Sequence, residues 1–456
     1  MSIRAALLLV LCLCATLGEA QAPQEQRCDA LCELAAQLEP QRPMPPGTSL
    51  GTTSSGSLVD GIALPLDAEH VFVMPRQRKR EHHYAARNLA EVVAFLAEQV
   101  HGELSGARLQ LGDASGVQGG RIPRHSSHAC GRDLDIAFFA LGADGKSAEL
   151  SDFERFDERG ESSSGKRFDL ERNWRLVEAV LDCGEPGTPG EALSRVQYLF
   201  IYDGLRKLLL EEGQRQGVSA ERMRRAAALL RQPGDSAPHD DHYHLRVYCS
   251  LDDRLNGCVN WGPNWPWAER HEREAAAFGE RIVGAWPSLD AAAREPALTR
   301  LASLGSPLLG GSVLRLAFLR PVEERAQLFE LAFSLGFVAQ DWALLEAALP
   351  QVETQLQSRL IRALGSTGTE MAAFALARVL AQYPEHGLQT VRSLAALRSE
   401  ASVAVLLAAL ADPELGLVEE LEQALRRLTN QELSGLEAWQ RWYAEHGEGS
   451  IEEWWA

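Results

Sequence analysis

The sequence predicts an α/β or α+β domain followed by an all-α domain of helical repeats, an α-solenoid. Three observations predict it. Strand-like and helix-like stretches are interspersed as far as about residue 262, as in a sheet covered by helices. From about Glu269 alanine and leucine dominate and strand signals vanish. Within that second part, "IRALGSTGTEMAAFALARVLA" (361–381) aligns with "VRSLAALRSEASVAVLLAALA" (391–411) at an offset of 30 residues.

The chain begins "MSIRAALLLVLCLCATLGEAQA", with Arg4 ahead of an apolar run of about ten residues and small residues at Ala20 and Ala22. That is the pattern of a secretory signal peptide, here residues 1–20. The apolar run is shorter than the ~20 residues that span a bilayer. No later segment is apolar enough to span, so a periplasmic protein without a transmembrane segment is expected. Residues 21–45 are polar and rich in proline and form a lead-in.

The first domain is expected over residues 46–266. "HVFVMP" (70–75), "ARLQLGD" (107–113) and "VQYLFIYD" (196–203) read as strands. "ARNLAEVVAFLAEQV" (86–100) places apolar residues at helical spacing, and "GLRKLLLEEGQRQG" (204–217) reads as a helix ending in glycine. Prolines and tryptophans in "CVNWGPNWPWAER" mark the boundary. The helical domain is expected over 267–456, where Arg362 matches Arg392, Leu364 matches Leu394, Glu370 matches Glu400 and Leu380 matches Leu410. Thirty-odd residues per helical pair resembles HEAT-like repeats, whose stacked surfaces bind protein partners. Trp439, Trp442, Trp454 and Trp455 stand where a last repeat needs a cap.

A formal net charge of −18 argues against a nucleic-acid binder, which needs a basic face. Beyond the signal peptide the cysteines are Cys28, Cys32, Cys130, Cys183, Cys249 and Cys258. An even number in an exported chain suggests disulfides. Cys249 and Cys258, flanking the polar "SLDDRLNG", are the first expected pair. Cys130 lies between motif residues and reads as a free thiol, a small buried residue or a disulfide partner.

Five of the twelve histidines fall in two short stretches, "HSSHACGRDLDIAFF" from His125 and "HDDHYHLRVYC" from His239. From Asp133 the first alternates, with Asp133, Asp135 and Ala137 on one face and Leu134, Ile136 and Phe138 on the other. The second alternates from His242, with His242, His244 and Arg246 opposite Tyr243, Leu245 and Val247. Adjacent carboxylates on one strand face repel, and a bound cation, or protonation and hydrogen bonding, relieves that. Imidazole and carboxylate donors suit Zn²⁺, whereas Ca²⁺ prefers oxygen throughout. His128, Asp135 and His244 supply two imidazoles and one carboxylate. His242 would sit beside the metal to move protons or steady an oxyanion, with His125 and His239 adding hydrogen bonds. A structural zinc site normally closes with four ligands, often cysteines. The surplus of histidines favours catalysis.

These motifs, H-x-x-H-x-x-G-x-D-x-D and H-x-x-H-x-H-x-R, resemble those of the penicillin-insensitive murein endopeptidases, within the lysostaphin-type and D-Ala-D-Ala metallopeptidases. "SLGTTSSGSLVDGIALP" (49–65) and "QGGRIPRHSSH" also look like family segments, so the resemblance covers roughly residues 46–262. It implies an α+β metallopeptidase domain with a central antiparallel sheet. It implies His128, Asp135 and His244 as zinc ligands, His242 as the principal catalytic histidine, and His125 and His239 lining the site. Asp133 matches a supporting acidic position. The implied substrate is peptidoglycan, cut at the D-alanyl–meso-diaminopimelate cross-link without a serine that β-lactams could acylate. The chain departs at Ala129–Cys130, where relatives often carry bulkier or polar residues. Two other readings are a zinc D-Ala-D-Ala carboxypeptidase and a non-catalytic cell-wall-binding scaffold.

Overall fold

The structure is a computed structural model that describes residues 43–455 except 104–106, 194, 235–237 and 264. The expected signal peptide, most of the lead-in, and Cys28 and Cys32 lie outside the described residues. The chain divides into two compact units, one ending at Ala275 and one running from Ala276 to Ala456. None of the described helices is long and apolar enough to cross a membrane.

The first unit is built on a six-stranded sheet. Its strands are β1 (Val71–Val73), β2 (Leu109–Leu111), β3 (Asp133–Ala137), β4 (Val196–Phe200), β5 (Leu230–Arg231) and β6 (His242–Val247). Their spatial order is β5-β4-β6-β3-β2-β1. The expected antiparallel sheet is corrected to a mixed one. The inner pairs β4–β6, β6–β3 and β3–β2 are antiparallel, but β1–β2 and β4–β5 run parallel. The connections give the reason. Helix α1 (Arg87–Glu103) lies between β1 and β2 in the chain, and α3 (Asp203–Arg215) and α4 (Ala220–Leu229) lie between β4 and β5. A strand that returns through a helical crossover comes back parallel.

Helix α1 forms because Leu89, Val92, Val93, Leu96 and Val100 recur at helical spacing, and all five are buried. Glu91, Ala94 and Glu98 stay exposed on the other side. Helix α2 (Leu170–Asp182) starts at Asp169, whose side chain accepts from the Arg172 amide, and it buries Trp174. These helices join Leu134 and Ile136 of β3, and Tyr243, Leu245 and Val247 of β6, in one apolar core. Core packing therefore fixes one face of β3 and β6 and leaves the other face to the polar side chains.

Cys249 and Cys258 form a disulfide, as expected, while Cys130 and Cys183 are buried free thiols. The bridged loop includes Asp253, whose Oδ1 accepts the Ser49 amide at 2.8 Å. Closing so short a loop should contribute about 2–3 kcal/mol through the unfolded chain. The Cys249→Ser/Cys258→Ser variant is expected to lose that much in urea unfolding, and reduction of the wild type should reproduce the loss.

The second unit is helical among its described residues. Helices Thr354–Ser366 and Gly387–Leu397 pack side by side, as do Glu370–Gln382 and Glu400–Leu410. Leu364 and Leu394 are buried alike, as are Leu380 and Leu410. Trp439 and Trp454 are buried at the end of the unit, and the Trp454 indole donates to the His446 carbonyl at 2.8 Å.

Candidate metal centre

The antiparallel register of β3 against β6 assembles the site. His244 stands opposite Asp135, Arg246 opposite Asp133, and His242 opposite Ala137. Cross-strand partners on one face approach within contact. The two stretches, more than a hundred residues apart in sequence, thus become one surface. The carboxylate face of β3 is fully covered: Asp133 and Asp135 are buried beneath the imidazoles and Arg246.

Asp133 organises the surroundings. Its carboxylate accepts from the His128 amide at 3.0 Å and from Arg246 Nε at 2.6 Å and Nη2 at 3.2 Å. The first bond holds the turn that presents His128, whose backbone sits at φ 73° in the left-handed region. A non-glycine residue there is strained and persists only where its surroundings hold it. The His128 Nδ1 meets the Ala114 carbonyl at 2.7 Å, which turns Nε2 towards Asp135.

Asp135 is the hub. Its Oδ1 lies 3.4 Å from His128 Nε2, 3.4 Å from His242 Nε2 and 3.6 Å from His244 Nδ1. Its Oδ2 lies 3.8 Å from His125 Nδ1. His125, His128 and Asp135 each bring a ligand atom within 4.8 Å of the other two. His125, expected to line the site, is grouped with His128 and Asp135 as side chains that could share an ion. His244 adjoins the cluster, with its ring 4.6 Å from that of His128 and its Nε2 3.4 Å from Asp133 Oδ1. His239 lies in the chain before β6, its ring 5.0 Å from that of His242 and 5.6 Å from that of His244.

Sequence reasoning missed three contributors. Asp113 follows β2 and is drawn beside Asp135 by the ladder, since the Asp135 amide donates to the Asp113 carbonyl at 2.9 Å. Its carboxylate accepts from Arg80 at 2.6 Å and meets His125 Nε2 at 3.2 Å, leaving His125 Nδ1 to face Asp135. Phe153 lays its ring 4.6 Å from that of His242. Gly112 makes room for it, because a Cβ there would meet Phe153 Cζ at 2.3 Å. Only the "GD" after the strand at 112–113 hinted at any of this.

The electrostatics are strongly polarised. Burial alone would raise both carboxyls. Arg246 and His244 hold Asp133, and His128 and His242 hold Asp135, well below the usual carboxylate range. Burial opposes charge on His242, but Asp135 and Asp241 outweigh it and hold the imidazole up to about 10. Burial, reinforced by His242 and His244, pushes His239 down to about 3. Burial pushes His244 down to about 4 against the pull of Asp133.

The donors fit a divalent transition ion. His128 Nε2, His244 Nε2 and both Asp135 oxygens are buried without a hydrogen-bond partner among the described residues. Such atoms are costly to leave unpaired. Mixed imidazole and carboxylate donors are those of zinc and its neighbours rather than of calcium or magnesium.

Fold and donor set together define a candidate metal centre of the kind that serves hydrolysis. The family described as penicillin-insensitive murein endopeptidase matches residues 49–178, which include His125, His128, Asp133 and Asp135. No curated protein matches the chain.

Proposed function

We propose that the chain is a zinc-dependent peptidoglycan endopeptidase that hydrolyses the D-alanyl–meso-diaminopimelate cross-link in the periplasm. The observation that carries this reading is the buried Asp135 carboxylate, unpartnered among the described residues and grouped with His125 and His128 as a possible ion site, inside the segment that matches the murein endopeptidases. His128, Asp135 and His244 would hold the ion, with His125 within reach as a further donor. When bound, a divalent ion at such a site polarises the scissile carbonyl and makes hydroxide available at neutral pH.

The chain's own groups divide the proton work. His242, set between Asp135 and Asp241, can donate to the leaving amine or steady negative charge on the carbonyl oxygen. His239, its ring 5.0 Å from that of His242, is held neutral by burial and can offer a hydrogen bond beside it. Asp113 and Asp133 orient His125 and His128. Phe153 packs on His242 and keeps water from that side of the ring. The helical unit, read as HEAT-like repeats, would bind a protein partner.

Digestion of purified cross-linked muropeptides tests the reading. Dimers should fall to monomers, a chelator should stop the reaction, and added Zn²⁺ should restore it. Loss of a single terminal alanine instead would identify a carboxypeptidase. No hydrolysis with zinc bound would leave the scaffold.

A further inference from the structure

Glu69, His70 and His101 lie outside the motifs and outside the centre described above, yet each brings a ligand atom within 4.8 Å of the other two. His70 immediately precedes β1, and its carbonyl accepts the Leu109 amide of β2 at 2.8 Å, so its backbone is fixed in the sheet. His101 sits in the last turn of α1. Both are therefore held by regular elements.

The orientation of the rings is specific. His101 Nδ1 meets the Ala107 carbonyl at 3.0 Å. A ring nitrogen bonded to a carbonyl carries the proton, which leaves Nε2 with a free lone pair. The same device orients His128 through the Ala114 carbonyl. The His70 and His101 rings stack with centroids 4.0 Å apart and 22° between their planes. His70 Nε2 lies 3.8 Å from Glu69 Oε2. Glu98, one helical turn before His101, lines the same cleft as Glu69 and His70. The C-terminal end of a helix also favours positive charge. Ring stacking alone accounts for the paired imidazoles, but not for a carboxylate beside them and a carbonyl that sets the tautomer.

We propose that Glu69, His70 and His101 form a second site for a divalent transition ion, zinc by its donors, that clips the end of α1 to edge strand β1. Two ligands on a tetrahedral zinc lie about 3.4 Å apart. Closure therefore asks the exposed Glu69 side chain to swing inwards, while the two histidines are already side by side. Two nitrogen donors disfavour calcium. Three protein donors leave a further position for Glu98 or water.

The test counts metal on the full mature chain. The protein is stripped with a chelator and dialysed against Zn²⁺, and bound zinc is measured by mass spectrometry. The wild type should hold about two ions per chain, and His70→Ala and His101→Ala about one each, with muropeptide cleavage unchanged. Asp135→Asn should lose the other ion only. Loaded with Co²⁺, Asp135→Asn should keep a visible absorption band that vanishes when His101→Ala is added. Failure of the catalytic centre alone would appear as a wild-type ratio near one that His101→Ala takes to zero. A zinc ratio unchanged by both histidine substitutions overturns the proposal. Should either histidine variant unfold, Glu69→Gln at the exposed ligand is expected to weaken zinc binding at least about tenfold, and unaltered affinity there would overturn the proposal as well.

Discussion

Asp135→Asn is expected to remove zinc from the catalytic centre and muropeptide cleavage together. Asp135 is the one side chain that His125, His128, His242 and His244 all approach, at 3.4 to 3.8 Å. Both of its oxygens are buried without hydrogen-bond partners among the described residues. The amide keeps the shape but loses the charge and half of the acceptor capacity. Zinc should dissociate from that centre on dialysis, and turnover should fall below detection. Asparagine is preferred to alanine because deleting one member of a buried charged cluster costs about 3–5 kcal/mol and could unfold the protein. A folded variant with wild-type turnover would end the metallopeptidase reading. Parallel variants separate the ligands. His244→Ala should lose the ion if β6 supplies the third donor, whereas His125→Ala should lose it if the loop does.

His242→Ala should retain zinc but lower kcat by about 10²–10⁴-fold, the usual share of a residue that moves a proton in the transition state. The side chain is held in place by Asp241 on one ring nitrogen, Asp135 near the other and Phe153 against its face. It is thus immobilised before substrate arrives. Zinc content distinguishes this variant from a ligand variant. A normal kcat with zinc in place would move the proton transfer to another group, His239 first. Full release of zinc would instead make His242 a ligand.

Much of this site was legible in sequence because strands announce their faces. The alternation in "DLDIA" and "HYHLRV" separates the apolar side chains from the polar ones of each strand. It could not say that His244 stands opposite Asp135 rather than Asp133, because register depends on how two distant segments pair. It names His244 rather than His125 as a donor, although spacing along a loop does not fix where a ring points. Asp113, Arg80 and Phe153 escaped notice for a related reason. Each enters alone from a separate turn, with no repeated pattern to mark it. The antiparallel sheet, which the family resemblance implied, fails at its two outer pairs, whose parallel direction follows from helices α1, α3 and α4 between the strands.

The pairing of β3 with β6 has a consequence for how this protein can change. A strand side chain reverses sides with every single-residue shift. Deleting one residue within 133–137 would turn the carboxylates, and one within 242–247 the imidazoles, towards the hydrophobic interior and bring leucines to the surface of the cleft. A point substitution changes one side chain, but a one-codon indel in either ribbon reverses every side chain beyond it. Lineages that diversify this enzyme should therefore vary in the length of their connecting segments and stay constant in the length of these two ribbons.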